Sequence, residues 1–456
     1  MKSIPPRRVA RLIHTGDRLA QQYRFAEAAE QYRRALTELE ALLTAQPDNV
    51  EFLFDQGLAL AGLEQFARAE EVLRRVLTLD GKHYSAHVEL ARVLSREGRN
   101  EQALTELLAA DAGRPNDYAT LIGLGVVNAE LGHADEALLF LKRAARLYPR
   151  NIEPELEVAH VLEQADRLDE AIAQYEKVLR RWPESSDARY DFAGLLFDAG
   201  KLSEAETQYR RLCRDFPDQS RHHASLGQLL AEGAHYEQAI EAYRAAGELE
   251  PENPDYLYEL ASLQQQGGRF AYAEHYYRRA LAVRPDYAPA HNGLGMLYHE
   301  RGDLTRASEE YLLAASLQRD SDWPLFNLGL LYSELGDLSR AQDCYRRVLQ
   351  IDPGDLETRC LLGGVLRQLG RYDEALEEFR RAVELDPEDP EPQAALCLFY
   401  YECLGDRQAA LAAGERFLKL GGQDPEVESL TKSLREGFEL SEGGLFDDED
   451  GNPDAD

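Results

Sequence analysis

The chain has 456 residues, of which 44% are hydrophobic, so it has enough apolar residues to fold rather than remain disordered. Its 83 acids outnumber its 51 bases, and the formal net charge of −32 argues against nucleic acid or an anionic membrane surface as a partner. No run approaches the roughly 18 consecutive apolar residues of a membrane helix, so we expect no membrane insertion.

The N-terminus carries no recognisable export signal. Residues 1–8 read Met-Lys-Ser-Ile-Pro-Pro-Arg-Arg, and the polar residues that follow leave no continuous apolar segment. We expect these eight residues to form a flexible leader and the protein to be cytoplasmic. The five cysteines show no paired spacing, which is typical of reduced structural thiols.

An alanine recurs along the chain at a fixed interval. The series consists of Ala28, Ala69, Ala103, Ala137, Ala171, Ala205, Ala239, Ala273, Ala307, Ala341, Ala375 and Ala409. Every step is 34 residues except the first, which is 41. A period of this length indicates stacked helical or strand units that share one continuous core.

Two further series keep the same register. A small residue lies twelve positions before each alanine as far as Gly363, and a bulky residue lies four positions after it, from Tyr32 to Phe379. Apolar residues at helical intervals predict two short amphipathic helices per unit, and the small residues let the helix backbones approach closely. Glycines such as Gly302 and Gly370 predict the turn between the two helices, and prolines end most second helices.

This pattern closely resembles the tetratricopeptide repeat family over residues 9–423. The resemblance implies an all-α fold, a right-handed superhelical α-solenoid of twelve tandem helix-turn-helix repeats. The first repeat has seven extra residues late in its second helix, before Pro47. The last repeat is degenerate, with Ala413 where a bulky residue is expected.

Two segments of different composition follow the last repeat. Residues 424–438 predict a capping helix, because one apolar stripe runs along an otherwise polar segment. The stripe consists of Val427, Leu430, Leu434 and Phe438. Residues 439–456 hold eight acids and no base, which predicts a disordered, solubilising tail. A docking role for Leu445 and Phe446 within that tail is left open.

The sequence contains no recognisable catalytic or metal-binding motif. A phosphate loop, a GxSxG elbow, an HExxH helix and paired CxxC ligands are all absent from it. His222 and His223 are interpreted as two polar residues at a helix start. We therefore expect no enzymatic activity, no cofactor and no metal ion.

In the tetratricopeptide repeat family, the first helix of each repeat lines a concave groove that holds partners. With each alanine of the series as position 20, the family places positions 2, 5, 6, 9 and 12 in that groove. Positions 2 and 6 hold eleven acids and a single base, Arg221, and position 5 adds aromatic residues. The resemblance implies a partner-binding groove formed by Glu51, Phe54, Asp55, Glu89, Glu153, Glu157, Asp187, Tyr190, Asp191, Asp255, Tyr258, Glu259, Asn292, Phe326 and Asn327.

Acidic groups interleaved with rings favour a partner segment that contains arginine or lysine. The whole chain is acidic, so the alternative of a merely solvated acidic face stays open. The basic residues with which co-chaperone members of the family clamp a terminal carboxylate are absent from the corresponding positions. Asn292 and Asn327 are too few for the asparagine ladder of the O-linked N-acetylglucosamine transferases.

Paired arginines such as Arg74 and Arg75 fall on second helices, which face outward in this family. Glutamates lie four residues before many of them, as Glu70 does before Arg74 and Glu71 before Arg75. This is the favourable orientation for helix ion pairs, each contributing roughly 0.2–0.5 kcal/mol. We interpret these arginines as a stabilising, solvated face rather than a binding patch.

These features together predict a non-catalytic cytoplasmic scaffold or adaptor, bacterial in style, which holds one or more proteins in an acidic concave groove. The alternative is a non-catalytic subunit of a larger enzyme complex or of an assembly or secretion machine. Self-association is left open, with the degenerate last repeat as a candidate surface.

Overall fold

The computed structural model describes the backbone of residues 6–443 and the side chains of residues 8–437. Within this part of the chain there are 25 α-helices, one π-helical turn and no strand. The helices form twelve successive pairs followed by one further helix. Two compact units divide the chain, Met1–Pro217 and Asp218–Asp456, and each contains six of the pairs.

Each odd-numbered helix packs antiparallel against the helix that follows it, because the turn that joins them is only a few residues long. The first unit contains α1 (Pro6–Gln21), α2 (Phe25–Ala45), α3 (Val50–Gly62), α4 (Phe66–Leu79), α5 (Tyr84–Arg96), α6 (Asn100–Gly113), α7 (Tyr118–Glu130), α8 (Ala134–Leu147), α9 (Glu153–Gln164), α10 (Leu168–Arg181), α11 (Ser186–Asp198) and α12 (Leu202–Asp215).

The second unit continues the same alternation of first and second helices. It contains α13 (Ser220–Glu232), α14 (Tyr236–Leu249), α15 (Pro254–Gln266), α16 (Phe270–Val283), α17 (Ala288–Glu300), α18 (Leu304–Leu317), α19 (Trp323–Glu334), α20 (Leu338–Ile351), α21 (Leu356–Gln368), α22 (Tyr372–Leu385), α23 (Glu391–Phe399), α24 (Arg407–Lys419) and α25 (Pro425–Gly443). The predicted all-α solenoid of tandem helix pairs is therefore confirmed.

The small and bulky residues of the two sequence series meet inside each pair. A Cβ atom placed on Gly16 would lie 2.6 Å from Cε1 of Tyr32, and one on Gly363 would lie 2.6 Å from Cε1 of Phe379. Carbon atoms do not approach so closely without repulsion, since their optimal separation is roughly 3.5–4.0 Å. The glycines thus let the ring of the second helix lie against the backbone of the first helix, which fixes the register of the pair.

The turns between paired helices need a residue in the left-handed backbone region. Gly302 and Gly370 supply it with φ angles of +77° and +74°. Glu64, Asp166 and Ala234 adopt the same conformation at equivalent positions, with φ angles of +59°, +56° and +57°. An L-residue in this region is strained, so the packing of the helices holds these three turns in place.

The first helix pair differs from its successors in length. Helix α1 begins at Pro6, inside the segment predicted as a leader, and residues 1–5 lie outside the described part of the chain. Helix α2 has 21 residues, whereas α4 and most other second helices have 14. The seven extra residues therefore prolong the helix by about two turns of 3.6 residues.

The last pair is irregular and packs against α25. Helix α23 has only nine residues and continues as a π-helical turn, Tyr400–Leu404. A Cβ atom on Gly414 would contact both Thr431 of α25 and the Sγ atom of Cys397, so α24 lies very close to α25 here. Val427 of α25 is completely buried.

Helix α25 runs from Pro425 to Gly443, whereas the sequence predicts a cap over 424–438 and a tail from 439 onward. The first five residues of the predicted tail are therefore helical. Residues 444–456, which include Leu445 and Phe446, lie outside the described part of the chain, as does the side chain of Phe438.

A recurrent clamp at position 4 ties together the two helices of a pair and the loop before them. Arg359 of α21 donates to Glu378 of α22 at 2.7 Å and to the carbonyl oxygen of Pro353 at 2.7 Å. Arg189 and His291 make the corresponding contacts in their own repeats. These three side chains at position 4 therefore have a structural role.

The arginines of the second helices are exposed, and several form the predicted helix pairs. Arg74 lies 2.8 Å from Glu70, and Arg210 bonds to Glu206 at 2.7 Å. Arg75 differs, because it pairs with Asp48 at 2.6 Å in the preceding loop instead of with Glu71. Exposed pairs of this kind contribute little each, typically about 0.2–1 kcal/mol.

Candidate partner-binding face

All predicted site residues lie on the first helices of their pairs. Residues at position 2 are in the first helical turn and are exposed: Glu51, Glu153, Asp187 and Asp255. Residues at positions 5 and 6 are half-buried: Phe54, Asp55, Glu157, Tyr190, Asp191, Tyr258, Glu259, Asn292, Phe326 and Asn327. Positions 2, 5, 6, 9, 12 and 13 share one side of an α-helix, and we call the surface they form the first-helix face.

On α3, the first-helix face is formed by Glu51, Phe54 and Asp55. The side chain of Asn49 caps the helix by accepting a hydrogen bond from the Phe52 amide at 3.0 Å, which fixes where the first turn begins. Burial, together with the nearby charge of Glu51, raises the pKa of Asp55 to about 6. The ring of Phe54 packs 5.0 Å from the imidazole of His83.

Glu89 of α5 is already paired within its own helix. It is 9% exposed, and Arg92 of the same helix donates to both of its oxygens, with Nε of Arg92 3.1 Å from Oε2. The bond to Glu89 also raises the pKa of Arg92. This part of the face is therefore internally neutralised, although the sequence pattern assigns Glu89 to an acidic groove.

Helices α9 and α11 bring three carboxylates around a single histidine, and a fourth, Glu153, lies one turn before Glu157. Nε2 of His160 lies 3.5 Å from Oδ2 of Asp191, and Nδ1 lies 4.0 Å from Oε1 of Glu157. Glu163 follows His160 by one turn on the same side of α9. We call Glu153, Glu157, His160, Glu163 and Asp191 the acidic cluster.

The electrostatics of the acidic cluster are those of crowded, partly buried carboxyl groups. The hydrogen bond to Asp191 is the main reason that the pKa of His160 is raised. Burial raises the pKa of Glu157 and of Glu163, although His160 opposes both shifts. Glu153 accepts a hydrogen bond from the hydroxyl of Tyr118 on α7.

A tyrosine lies beneath the acidic cluster. Tyr175 of α10 is completely buried, and its ring lies 6.2 Å from the imidazole of His160 and 5.8 Å from the ring of Phe192. Its hydroxyl has no hydrogen-bond partner at normal geometry. Burial and the charges of Glu163 and Asp191 raise the pKa of Tyr175.

A largely apolar cavity of 680 Å³ adjoins the acidic cluster, between α5 and α7. Val88, Ile122 and Val126 line its wall. Its rim carries opposite charges on its two sides, with Arg92 and Arg96 on α5 and with Glu130 and Glu153 on α7 and α9. Glu153 belongs both to the rim and to the acidic cluster, so the two features are contiguous.

In the second unit, acidic and aromatic residues combine on α15. The hydroxyl of Tyr287 donates to Asp255 at 2.6 Å, and the rings of Tyr258 and Tyr287 meet edge to face at 6.1 Å. Burial and the neighbouring Asp255 raise the pKa of Glu259. Tyr258 is also close to Tyr277, with ring centroids 5.8 Å apart, so this patch is a rigid one.

Further along the second unit, positions 5 and 6 of α17 and α19 carry no charged residue. Asn327 of α19 donates to Asn292 of α17 at 3.1 Å, and the ring of Phe326 lies 6.4 Å from that of Tyr345. The two predicted asparagines therefore satisfy each other across neighbouring first helices. They form an amide pair rather than a ladder.

Several residues of this face lie outside the predicted set. His160 and Arg92 are at position 9, Glu163 is at position 12, and Ile122 and Val126 line the cavity from positions 5 and 9. The family pattern also places positions 9 and 12 in the groove, so a survey of those positions for charge and bulk would have found these residues. The bond between Glu89 and Arg92 has a sequence signal too, since acid and base at spacing i,i+3 are neighbours on a helix.

Neither a metal centre nor a membrane span is found in the part of the chain that the structure describes. No group of three or more His, Cys, Asp or Glu side chains there is arranged to hold a metal ion, and the acidic cluster is no exception. None of the described helices is both long and apolar enough to cross a membrane.

Several solved structures are similar to this chain at low sequence identity. The APC/C hetero-tetramer Cut9-Hcn1 matches with a TM-score of 0.43 and 14% identity, over 94% of this chain and 96% of that one. Yeast Tom70 matches with a TM-score of 0.43 and 16% identity, over 94% of this chain and 99% of that one. YrrB, a TPR protein with an unusual peptide-binding site, matches with a TM-score of 0.37 and 21% identity, over 43% of this chain and 99% of that one.

Family models identify the repeats directly from the sequence. Two models, both described as Tetratricopeptide repeat, match this chain. One matches residues 53–125, 162–229 and 366–434. The other matches residues 16–84, 224–271, 258–322 and 326–390. Together they cover most of the twelve helix pairs, and the chain belongs to the tetratricopeptide repeat family, whose repeats serve as protein-interaction scaffolds.

Proposed function

We propose that this chain is a non-catalytic scaffold whose first-helix face binds arginine- or lysine-containing segments of partner proteins. The observation that carries the proposal is the state of four carboxyl groups on that face. Burial raises the pKa of Asp55, Glu157, Glu163 and Glu259, the first three in the first unit and the last in the second unit. Burial raises the pKa of a carboxyl group because the ionised form is less stable away from water.

A cationic side chain from a partner protein would stabilise the ionised form of these carboxyl groups. A guanidinium or ammonium group within hydrogen-bond distance of a partly buried carboxylate makes a charge-assisted bond, which is roughly twice as strong as a neutral one. By contrast, several acids on the second helices already have partners within the chain. Arg99 and Arg167 lower the pKa of Glu70 and of Glu170, respectively, through hydrogen bonds. The acids that gain most from an external cation are therefore on the first-helix face.

Aromatic residues on the same face support the same partner chemistry. Tyr190 precedes Asp191 on α11, and Tyr258 precedes Glu259 on α15. A tyrosine is thus the chain neighbour of each carboxylate, and a bound cation that contacts the face of such a ring would gain about 0.5–2 kcal/mol of cation–π interaction, depending on how well it is desolvated. The carboxylates and the tyrosine rings therefore both favour a cationic side chain of the partner.

Charge reversal on the two faces of the helix pairs provides the test. The triple variant Glu157→Lys, Asp191→Lys and Glu259→Lys changes the first-helix face. The matched control, Glu136→Lys, Asp169→Lys and Glu241→Lys, makes the same change in net charge at exposed positions of second helices. Binding of a fluorescein-labelled 16-residue peptide with four arginines, measured by anisotropy, should weaken at least tenfold more in the first variant than in the control. Equal losses in both variants would refute the proposal, because binding would then follow net charge alone.

A second experiment identifies natural partners. The tagged full chain is used to capture proteins from its native lysate, and a salt gradient elutes them. Exposed charge contacts weaken as the screening length falls from about 10 Å at 0.1 M to about 3 Å at 1 M salt. Proteins with basic segments should leave early. Non-basic proteins that resist high salt would instead favour a fixed subunit of a larger complex.

A further inference from the structure

The first unit places two different kinds of binding surface side by side. The cavity between α5 and α7 is lined by Val88, Ile122 and Val126, whereas the acidic cluster lies on α9 and α11. A volume of 680 Å³ is within the range of about 300–1,000 Å³ that small-molecule pockets occupy, so a single leucine, phenylalanine or tryptophan side chain fits easily. An apolar cavity beside a cluster of carboxylates is complementary to an apolar side chain beside a cation.

The charges on the rim of the cavity also determine on which side of its apolar residue the partner segment carries its cation. On the α5 side, Arg96 would repel a basic residue of the partner, whereas Glu89 already neutralises Arg92. On the α9 side, Glu153 continues into the acidic cluster. The cation of the partner must therefore lie on the α9 side of its apolar residue.

A second observation within the acidic cluster points to a missing ligand. Tyr175 is completely buried, and its hydroxyl has no hydrogen-bond partner at normal geometry, although Glu163 lies close enough to act on it. A buried hydroxyl without a well-formed hydrogen bond is destabilising. Glu163 and Asp191 are the carboxylates that act most strongly on this hydroxyl. A cation that draws these carboxylates together can complete the arrangement and leave an oxygen for Tyr175 to donate to.

We infer that the segment bound by the first unit carries a bulky apolar residue and, roughly three to six residues away in extended chain, an arginine or lysine. The apolar residue enters the cavity, and the cation enters the acidic cluster, where it replaces His160 as the partner of Asp191. This inference rests on the proposed function. The spacing follows from first helices that lie about 8–10 Å apart and from an extended chain that spans about 3.3 Å per residue.

His160 makes the cation subsite sensitive to pH. The groups that act on it are Glu157 and Glu163 of its own helix and Asp191 of α11, and Tyr175 of α10 packs against it. At low pH, protonated His160 neutralises the cluster and competes with the partner's cation. At high pH the imidazole is neutral and the carboxylates are ionised, so affinity for the cation should increase.

Labelled 16-residue peptides of three designs, each on a glycine–serine background, test the inference with the full chain. The first design contains a tryptophan and, five residues away, two adjacent arginines. It is made in two versions, one with the arginines after the tryptophan and one with the arginines before it. The second replaces the tryptophan with serine, and the third replaces both arginines with glutamine. Affinities are measured by anisotropy at pH 5.5 and pH 8.

The protein variants separate the two subsites. Ala119 lines the cavity and is exposed on the first turn of α7, so Ala119→Trp narrows the cavity without disturbing the packed core. The paired variant Glu157→Gln and Asp191→Asn removes charge from the acidic cluster while keeping its shape. Circular dichroism spectra identical to the wild type provide the check on folding.

We expect Ala119→Trp to weaken the first peptide about tenfold, the size of effect that loss of one buried apolar side chain produces, and to leave the second peptide unchanged. The carboxyl variant should weaken the first and second peptides but not the third, and it should abolish the gain in affinity between pH 5.5 and pH 8. If Ala119→Trp has no effect while the carboxyl variant does, the cavity is not used and only the proposed function survives. If neither variant matters, this inference fails, and the triple charge-reversal variant, which includes Glu259, decides whether the proposed function survives. If neither order of the first peptide binds, both fail.

Discussion

Two adjacent glycines of α21 allow the packing of the helix pairs to be tested with one chemical change. Gly363 faces α22, where a Cβ atom would lie 2.6, 2.8 and 2.9 Å from Cε1, Cζ and Cδ1 of Phe379. Gly364 has no atom within 4 Å of the corresponding position. We predict that Gly363→Ala destabilises the protein and that Gly364→Ala stabilises it.

The magnitudes follow from the surroundings of each residue. Replacement of glycine by alanine inside a helix stabilises it by about 0.5–1 kcal/mol, and this gain applies to both variants. At Gly363 the new methyl group overpacks the core, which costs about 1–3 kcal/mol. Phe379 cannot swing aside, because it is 4% exposed and its ring lies 5.5 Å from that of Phe399. The free energies of unfolding of the two variants should therefore differ by about 1–3 kcal/mol.

Thermal and urea unfolding, followed by circular dichroism, measure this difference. Arrays of repeats need not unfold in a single step, so hydrogen exchange of the α21 and α22 amides provides a local readout. Adding Phe379→Leu to Gly363→Ala should recover part of the loss, since an alanine and a leucine, Ala91 and Leu107, occupy the same two positions in another repeat. Equal stability of Gly363→Ala and Gly364→Ala would refute the packing argument.

Three further predictions concern other parts of the chain. Ala234→Gly should stabilise the second unit by about 1 kcal/mol, because Ala234 has a φ of +57° and glycine removes the strain; a lower unfolding midpoint would show that the alanine is not strained. The bond to Glu310 raises the pKa of His291, so this pair should stabilise the fold fully below the unfolded pKa of about 6.5 and lose that contribution as pH rises through the folded pKa. Unfolding midpoints between pH 5 and pH 8.5 measure this loss. His291→Gln should remove the part of the pH dependence of stability that this pair contributes. The pKa of Asp55 is raised to about 6 by burial and by Glu51, and in NMR titration Glu51→Gln should lower it; an unchanged value would leave burial as the sole cause.

The sequence by itself determined the repeat architecture. The alanine series, the glycines that face Tyr32 and Phe379, and the turn glycines Gly302 and Gly370 all act within one repeat, over distances of a few helical turns. Contacts of this kind are visible as fixed spacings, since both partners lie on the same short stretch of chain. The same locality explains why the helix-internal pair of Arg74 and Glu70 could be predicted.

The candidate site was only partly accessible from the sequence. The spacing identifies which acids lie on first helices, but it does not give their burial or their partners. Glu89 fits the acidic pattern and yet is neutralised by Arg92, whereas His160 joins Glu157 of its own helix to Asp191 of the next repeat. These outcomes depend on rotamers and on contacts between neighbouring repeats, which a consensus pattern does not specify.

The tertiary structure alone decided where the acidic face gives way to an apolar one. The cavity beside the acidic cluster is lined by Gly123 and Val126 of α7 and by Val88 of α5, so its shape depends on side chains in two repeats. Desolvation raises the pKa of Asp55 and of Glu259 for a similar reason, since the surface that covers each carboxyl group comes from several helices. Periodicity in the sequence sets the helices and their order, whereas the volume and the dielectric surroundings of a site are properties of the packed repeats.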